Sequence, residues 1–148
     1  MTVKGLEKHG YESLAKIIAE KNLEAMHKVY LSTGTIWELY SLDMYIPATD
    51  ATGIHMVKPN FVGWSGLIPI SMLIENMIGI TTDGSNNHIV WKTDETTCHG
   101  IRNLHFGHVV TSLIRNGDTI TIESNAPYDL EVNGVKLKVK AGSNQFQI

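Results

Sequence analysis

Cysteine is almost missing from this chain. Cys98 stands alone among 148 residues, so no internal disulfide can form and no cysteine-based metal site can be built. Charge of one sign is also scarce: 12 Lys and Arg stand against 15 Asp and Glu, for a formal net charge of −3. Binding nucleic acid requires a clustered basic face. The only lysine cluster, Lys136, Lys138 and Lys140, alternates along a strand pattern and reads as a solvated face. There is no Asn-x-Ser/Thr acceptor, no serine nucleophile elbow, no phosphate loop and no nucleotide fingerprint. Residues 1–13 are polar and carry no signal-peptide core. The uncharged stretch from Pro59 to Ile74 stops at Glu75-Asn76, short of the ~18–20 residues that a spanning helix needs, so a membrane anchor is the weaker reading of it.

What is present has a clear order. Residues from about Leu6 to Tyr30 read as one amphipathic helix, with Tyr11, Leu14, Ala15, Ile18, Ala25, Met26 and Val29 on its apolar stripe and Thr33-Gly34 as its stop. Residues 32–62 form a connection punctuated by Pro47, Gly53 and Pro59, longer than compact domains usually carry without a functional reason. Residues 62–80 read as a second helix, apolar around nearly its whole circumference, with Pro69 near its start or kinking it. A helix of that kind belongs in a large core, and this chain offers few helical partners. Both helices are therefore expected to belong to something larger, and residues 62–80 to leave apolar surface exposed.

From His88 the hydrophobic period changes to two. Asn133-Gly134 is the favoured two-residue hairpin loop. It predicts that Val132 faces Val135, Glu131 faces Lys136, Leu130 faces Leu137 and Asp129 faces Lys138, which matches apolar with apolar and opposite charges with each other. Asn116-Gly117 predicts a second hairpin, with Arg115 facing Asp118 and Leu113 facing Ile120. The fold class expected is α+β: helices in residues 1–83, then a small antiparallel β-sandwich-like unit in residues 84–148.

One carboxylate stands out. Glu38 lies between Trp37 and Tyr40 in the long connection. Glycoside hydrolysis uses a pair of carboxyl groups, and sugar rings stack on aromatic faces. A loop glutamate is also commonly just solvated, and Trp37 could simply plug the helix end. Trp64 could line a sugar site or be a core residue. Asn60 and Ser65 could bond sugar hydroxyls or cap the helix. Asp43 and Asp50 are candidate partners for Glu38, though neither is assigned as the acid, and His55 could touch a substrate. His99, His105 and His108 share one stretch, but their strand parities differ and no carboxylate or cysteine joins them, so no metal site is expected.

Several segments resemble a known family. Thr35-Ile36-Trp37-Glu38-Leu39-Tyr40 resembles the Glu-x-Tyr segment of trehalase-like and mannosylglycerate-hydrolase-like glycosidases, relatives of processing α-glucosidase I. Asn60-Phe61-Val62-Gly63-Trp64-Ser65-Gly66-Leu67-Ile68-Pro69-Ile70 is similar to the opening of their last inner helix, and Gly10-Tyr11-Glu12-x-Leu14-Ala15 to the outer helix before the catalytic loop. His99-Gly100-Ile101-Arg102-Asn103-Leu104-x-Phe106-Gly107 resembles a β segment after the barrel in bacterial members. The resemblance implies the last helix pair of an (α/α)₆ toroid followed by the β unit. It implies an inverting O-glycosidase with Glu38 as general base and Trp37, Tyr40, Asn60 and Trp64 along the sugar site, without metal or cofactor. The general acid and the other barrel helices lie upstream in such enzymes, and nothing here matches them. The expected partners are a carbohydrate substrate and the missing N-terminal barrel segment, in cis or as another chain. The chain is not expected to be active alone. The alternative is a non-catalytic carbohydrate-binding or interaction module built on the strands.

Overall fold

A computed structural model describes residues 2–48 and 57–148. The fold is α+β and divides into two units, one ending at Met77 and the other running from Ile78 to Ile148. The expected boundary at 83/84 would have left the first strand on the helical side.

The helical unit contains α1 (Thr2–Lys8), α2 (Glu12–Thr33), α3 (Trp64–Met72) and a π-helical segment at Leu73–Ile78. The single helix expected over 6–30 is thus broken in two. The apolar stripe runs on across the break, but Gly10 takes the left-handed conformation at φ 81°, which ends α1 and redirects the chain. α2 stops at Gly34, also left-handed at φ 73°, whose N–H donates to Tyr30 O at 2.7 Å. The helix expected over 62–80 is shorter: α3 contains Pro69, and beyond Met72 the hydrogen bonding loosens to the π pattern. Lys4 pairs with Glu75, and Asn76 Nδ2 donates to Glu7 Oε1 at 2.5 Å, tying α1 to the π segment.

The buried apolar residues of this unit are few and mostly small: Val3, Ala15, Ala19, Met26 and Val29. α3 is inside out. Its buried residues are Ser65 and Gly66, while Trp64, Leu67, Ile68 and Ile70 are exposed. No helix among the described residues is long and apolar enough to cross a membrane.

The strand unit has two four-stranded sheets. One orders β1 (Ile80–Asp83), β2 (His88–Trp91), β6 (Tyr128–Val132) and β7 (Val135–Val139). The other orders β3 (His99–Phe106), β4 (Val109–Asn116), β5 (Thr119–Ser124) and β8 (Gly142–Gln147). The first of these sheets is not wholly antiparallel, because β2 and β6 run parallel, with Ile89 beside Leu130 and Trp91 beside Val132. Alternate residues from both sheets fill the core: Ile80, Ile89, Trp91, Leu113, Ile120, Ile122, Leu130 and Val132 are all at most 1% exposed.

The Asn133-Gly134 hairpin has the expected register at all four pairs, with both turn residues at positive φ, 47° and 87°, as a type I′ turn requires. The other hairpin differs. Its loop is Gly117-Asp118, so Arg115 faces Ile120 and Leu113 faces Ile122, a slip of two residues from expectation. A two-residue slip leaves every side chain on the same face, so apolar alternation does not discriminate between the two registers. Arg115 is buried with the core residues, its Nε donating to Gly117 O and a terminal nitrogen to Thr93 O, both at 2.9 Å.

Tyr128 carries a testable electrostatic consequence. Thr111 Oγ1 donates to Glu123 O at 3.0 Å and shares a hydrogen bond of 3.1 Å with Tyr128 Oη. Burial pushes the Tyr128 phenol from its ordinary 10.0 up to about 12, against the Thr111 hydrogen bond. The unfolded chain loses this proton first as pH rises. The folded state therefore keeps its full advantage below about pH 10 and loses it as pH climbs through about 12. Tyr128→Phe is expected to flatten the fall in urea midpoint between pH 9 and 12; an unchanged slope would remove Tyr128 as its source.

Candidate functional site

The site residues named from sequence lie on two strips of chain that cross between α2 and α3. Gly34 ends α2 and turns the chain into the first strip, residues 35–40. The second strip, residues 57–63, returns alongside it. Glu38 N–H donates to Lys58 O at 3.0 Å, Phe61 N–H to Ile36 O at 3.0 Å, and Trp37 and Pro59 form an isolated bridge. Thr35 Oγ1 donates to Asn60 Oδ1 at 2.7 Å, while Asn60 N–H approaches the same hydroxyl at 3.1 Å. Asn60 holds a left-handed backbone, φ 54°, which its short polar side chain tolerates better than most.

The start of α3 then clamps Glu38 by its main chain. Ser65 Oγ donates to Glu38 O at 2.5 Å, and Trp64 Nε1 donates to the same oxygen at 3.2 Å. Neither Asn60 nor Ser65 caps the helix: Gly63 holds the N-cap position without a side-chain bond, and Ser65 lies inside α3, buried, serving the loop. A Cβ on Gly63 would come within 2.6 Å of the Phe61 ring, so a larger residue there makes that ring shift. Phe61 in turn packs on Trp64 with ring centres 4.7 Å apart.

Trp37 Nε1 donates to Thr33 Oγ1 at 2.9 Å, which sets the indole over the last turn of α2, and its backbone N–H reaches Tyr40 Oη at 3.2 Å. Trp37, Glu38 and Tyr40 are each half-buried, while Asn60 and Trp64 are exposed. The Glu38 carboxylate is held lightly, with Lys58 N–H 3.5 Å from Oε2. The structure thus brings together all five residues named from sequence, around a fixed backbone and a carboxylate that is accessible. Asp43 is exposed on the intervening loop, where Tyr45 lies 4.1 Å under the Lys28 ammonium. Asp50 and His55 lie outside the described residues.

Sequence reasoning left Ser65 undecided and missed Thr33, Thr35 and Lys58. Their contacts with the loop are one or two hydrogen bonds each, those of Thr35 and Lys58 spanning 20 residues or more, which leave no periodic signal. Ser65→Ala removes a buried donor but leaves Trp64 on the same oxygen, so a loss of about 1 kcal/mol is expected in the urea-induced unfolding of the helical unit. A midpoint unchanged within error would mean that Ser65 does not clamp the loop.

Among the described residues, no three His, Cys, Asp or Glu side chains gather as metal ligands. His99 is engaged instead with Thr93 Oγ1 and Thr97 O, both at 2.7 Å. On the strand unit, a cavity of about 330 Å³ opens beside Asp83, His88, Asp129, Glu131 and Lys138. The Asn86 side chain and backbone N–H hold the Asp83 carboxyl below the usual range. None of the residues lining the cavity is Trp, Tyr or Phe, so it gives a sugar ring no stacking platform.

No protein-family model matches the chain. It is 26% identical over 147 residues to an uncharacterized protein of Borreliella burgdorferi, aligned across 93% of this chain and 31% of that protein. The chain thus spans under a third of the length of that relative. A solved structure, described as a putative kojibiose phosphorylase from human microbiome, superposes on 57% of this chain and 11% of its own with a TM-score of 0.41 and 11% identity. A likeness at that level does not define a fold family.

Proposed function

We propose that this chain is the C-terminal portion of an inverting glycoside hydrolase, in which Glu38 is the general base and the general acid comes from polypeptide outside these 148 residues. In this reading α2 and α3 are the last helix pair of an (α/α)₆ toroid, and the strand unit follows the barrel. The observation that carries the proposal is the convergence of Trp37, Glu38, Tyr40, Asn60 and Trp64 on one loop, with the Glu38 carbonyl clamped from α3 by Ser65 and Trp64. Such clamping fixes where the carboxylate starts while leaving its oxygens free for water.

The chemistry follows from that arrangement. Glu38 takes a proton from a water molecule as the water attacks the anomeric carbon from the face opposite the leaving group. The absent acid protonates the departing oxygen. Room for the water sets the two carboxyl groups about 6.5–9.5 Å apart. The exposed face of Trp64 and the half-buried Trp37 and Tyr40 provide apolar walls for a sugar ring, and Asn60 sits at the rim. The test is Glu38→Gln in the assembled enzyme, with the anomer of the first product followed by NMR. Loss of turnover in a folded variant, and an inverted product from the parent enzyme, support the reading. Near-normal turnover removes Glu38 from the role.

A further inference from the structure

The bulky side of α3 has no counterpart in the helical unit. Trp64 is 55% exposed, Leu67 66%, Ile68 40% and Ile70 58%, and Leu73 continues the row at 50%. In a helix anchored by its own core these would be the inward residues. Here the inward positions are Ser65 and Gly66, and the large side chains point away. The strand unit shows no such inversion: its one exposed large hydrophobic is Val135, on β7 at the edge of its sheet. Residues 60–74 contain no charge at all, so whatever covers this face must be apolar and neutral.

We infer that the outward face of α3 is a docking surface for further helical polypeptide, of the kind that supplies the two-thirds or so of the Borreliella burgdorferi relative lying outside the matched region. Three observations favour that occupant. The relative aligns with 93% of this chain and continues well beyond it, so a homologous face has additional polypeptide available to cover it. Leu67, Ile70 and Leu73 lie three residues apart, the spacing of a helix ridge, which another helix packs into its groove. A bilayer is a poorer fit, because this face lacks the basic rim that interfacial helices carry and the chain is net acidic. The docked row is Leu67, Ile68, Ile70 and Leu73; Trp64, one turn earlier, bonds to Glu38 O and stays outside it, so the docked polypeptide runs beside the Glu38 loop. If Glu38 has the role proposed above, that neighbour is where the second carboxylate comes from. The docking itself does not depend on that role.

The experiment combines binding and hydrogen exchange. The full chain is mixed with the part of the Borreliella burgdorferi relative that lies outside the matched region, and the mixture is sized by chromatography with light scattering. A 1:1 complex is expected, with amide exchange across α3 slowed on assembly. Leu67→Glu with Ile70→Glu is expected to weaken the complex by about a hundredfold or more. Both positions are exposed in the free chain, and unchanged exchange in α2 verifies that the helical unit of the variant is folded. Glu38→Gln should leave assembly intact, which separates failure of docking from failure of the catalytic reading. Four outcomes overturn the inference: no complex with that part of the relative; a homodimer of the free chain that the double variant dissociates; flotation of the free chain with phosphatidylcholine vesicles; or α3 amides already protected in the free monomer.

Discussion

Glu38→Gln in the assembled enzyme is expected to lower kcat by about 10²–10⁴-fold, with KM nearly unchanged. The substitution keeps the shape of the side chain and removes its ability to accept a proton. The amide can still meet Lys58 N–H, now at 3.5 Å from Oε2, through its oxygen. The clamps that place residue 38 act on its main chain, through Ser65 Oγ, Trp64 Nε1 and Lys58 O, so they survive the change. The substrate contacts proposed for Trp37, Tyr40 and Trp64 survive as well. The loss should therefore fall on the step in which water is deprotonated, leaving binding as it was. A variant whose KM rises while kcat holds would point to a binding role for Glu38. Steady-state kinetics at several pH values, with folding checked by circular dichroism, distinguish the two.

Trp91→Ala is expected to remove about 3–5 kcal/mol from the strand unit, a large share of what a small domain has. Trp91 is fully buried on β2, pairs with Ile80 on one side and Val132 on the other, and packs edge-on to His99 at 5.6 Å. Its Nε1–H donates to Ile78 O at 2.8 Å, so truncation both opens a cavity and leaves a carbonyl without its donor. Next to it, Lys92 N–H donates to Gly79 O at 2.9 Å, and the backbones come so close that a Cβ on Gly79 would lie 1.8 Å from Lys92 O. That spine cannot shift to fill the hole. Urea unfolding followed by circular dichroism should show the midpoint collapse in Trp91→Ala and a smaller loss in Trp91→Phe, which keeps most of the packing. Equal losses in the two variants would assign the effect to the hydrogen bond alone.

The strand unit was more legible in the sequence than the helices were. At Asn133-Gly134 two independent signals agree: the turn residues accept positive φ, and the cross-strand partners match in both charge and polarity, as the Lys138–Asp129 pair at 2.6 Å shows. At Asn116-Gly117 only the turn dipeptide spoke to register. The buried Arg115, satisfied by Thr93 O and Gly117 O, could not be anticipated from a residue type that normally faces water. Parallel pairing of β2 with β6 left no trace, because it joins segments some forty residues apart. In the helical part, the apolar stripe hid the break at Gly10, and the π segment after Met72 leaves no mark in the hydrophobic pattern. The candidate loop was recognisable by its aromatics around a carboxylate. The hydroxyls and carbonyls that hold it were not.

The order of strands has a consequence for how this chain acquires its shape during synthesis. The polypeptide lays β1 and β2 in one sheet, crosses to the other for β3, β4 and β5, returns for β6 and β7, and crosses again for β8. The β3–β4–β5 meander can zip as it leaves the ribosome, since each strand pairs with its sequence neighbour. β2 must wait for β6, and β5 keeps an open edge until Gly142–Gln147 arrives. Closing such distant pairs is the slow step in sheet proteins. Until Gly142–Gln147 emerges, the nascent chain therefore displays an unpaired strand edge together with the bare side of α3, two surfaces that chaperones and neighbouring chains can seize.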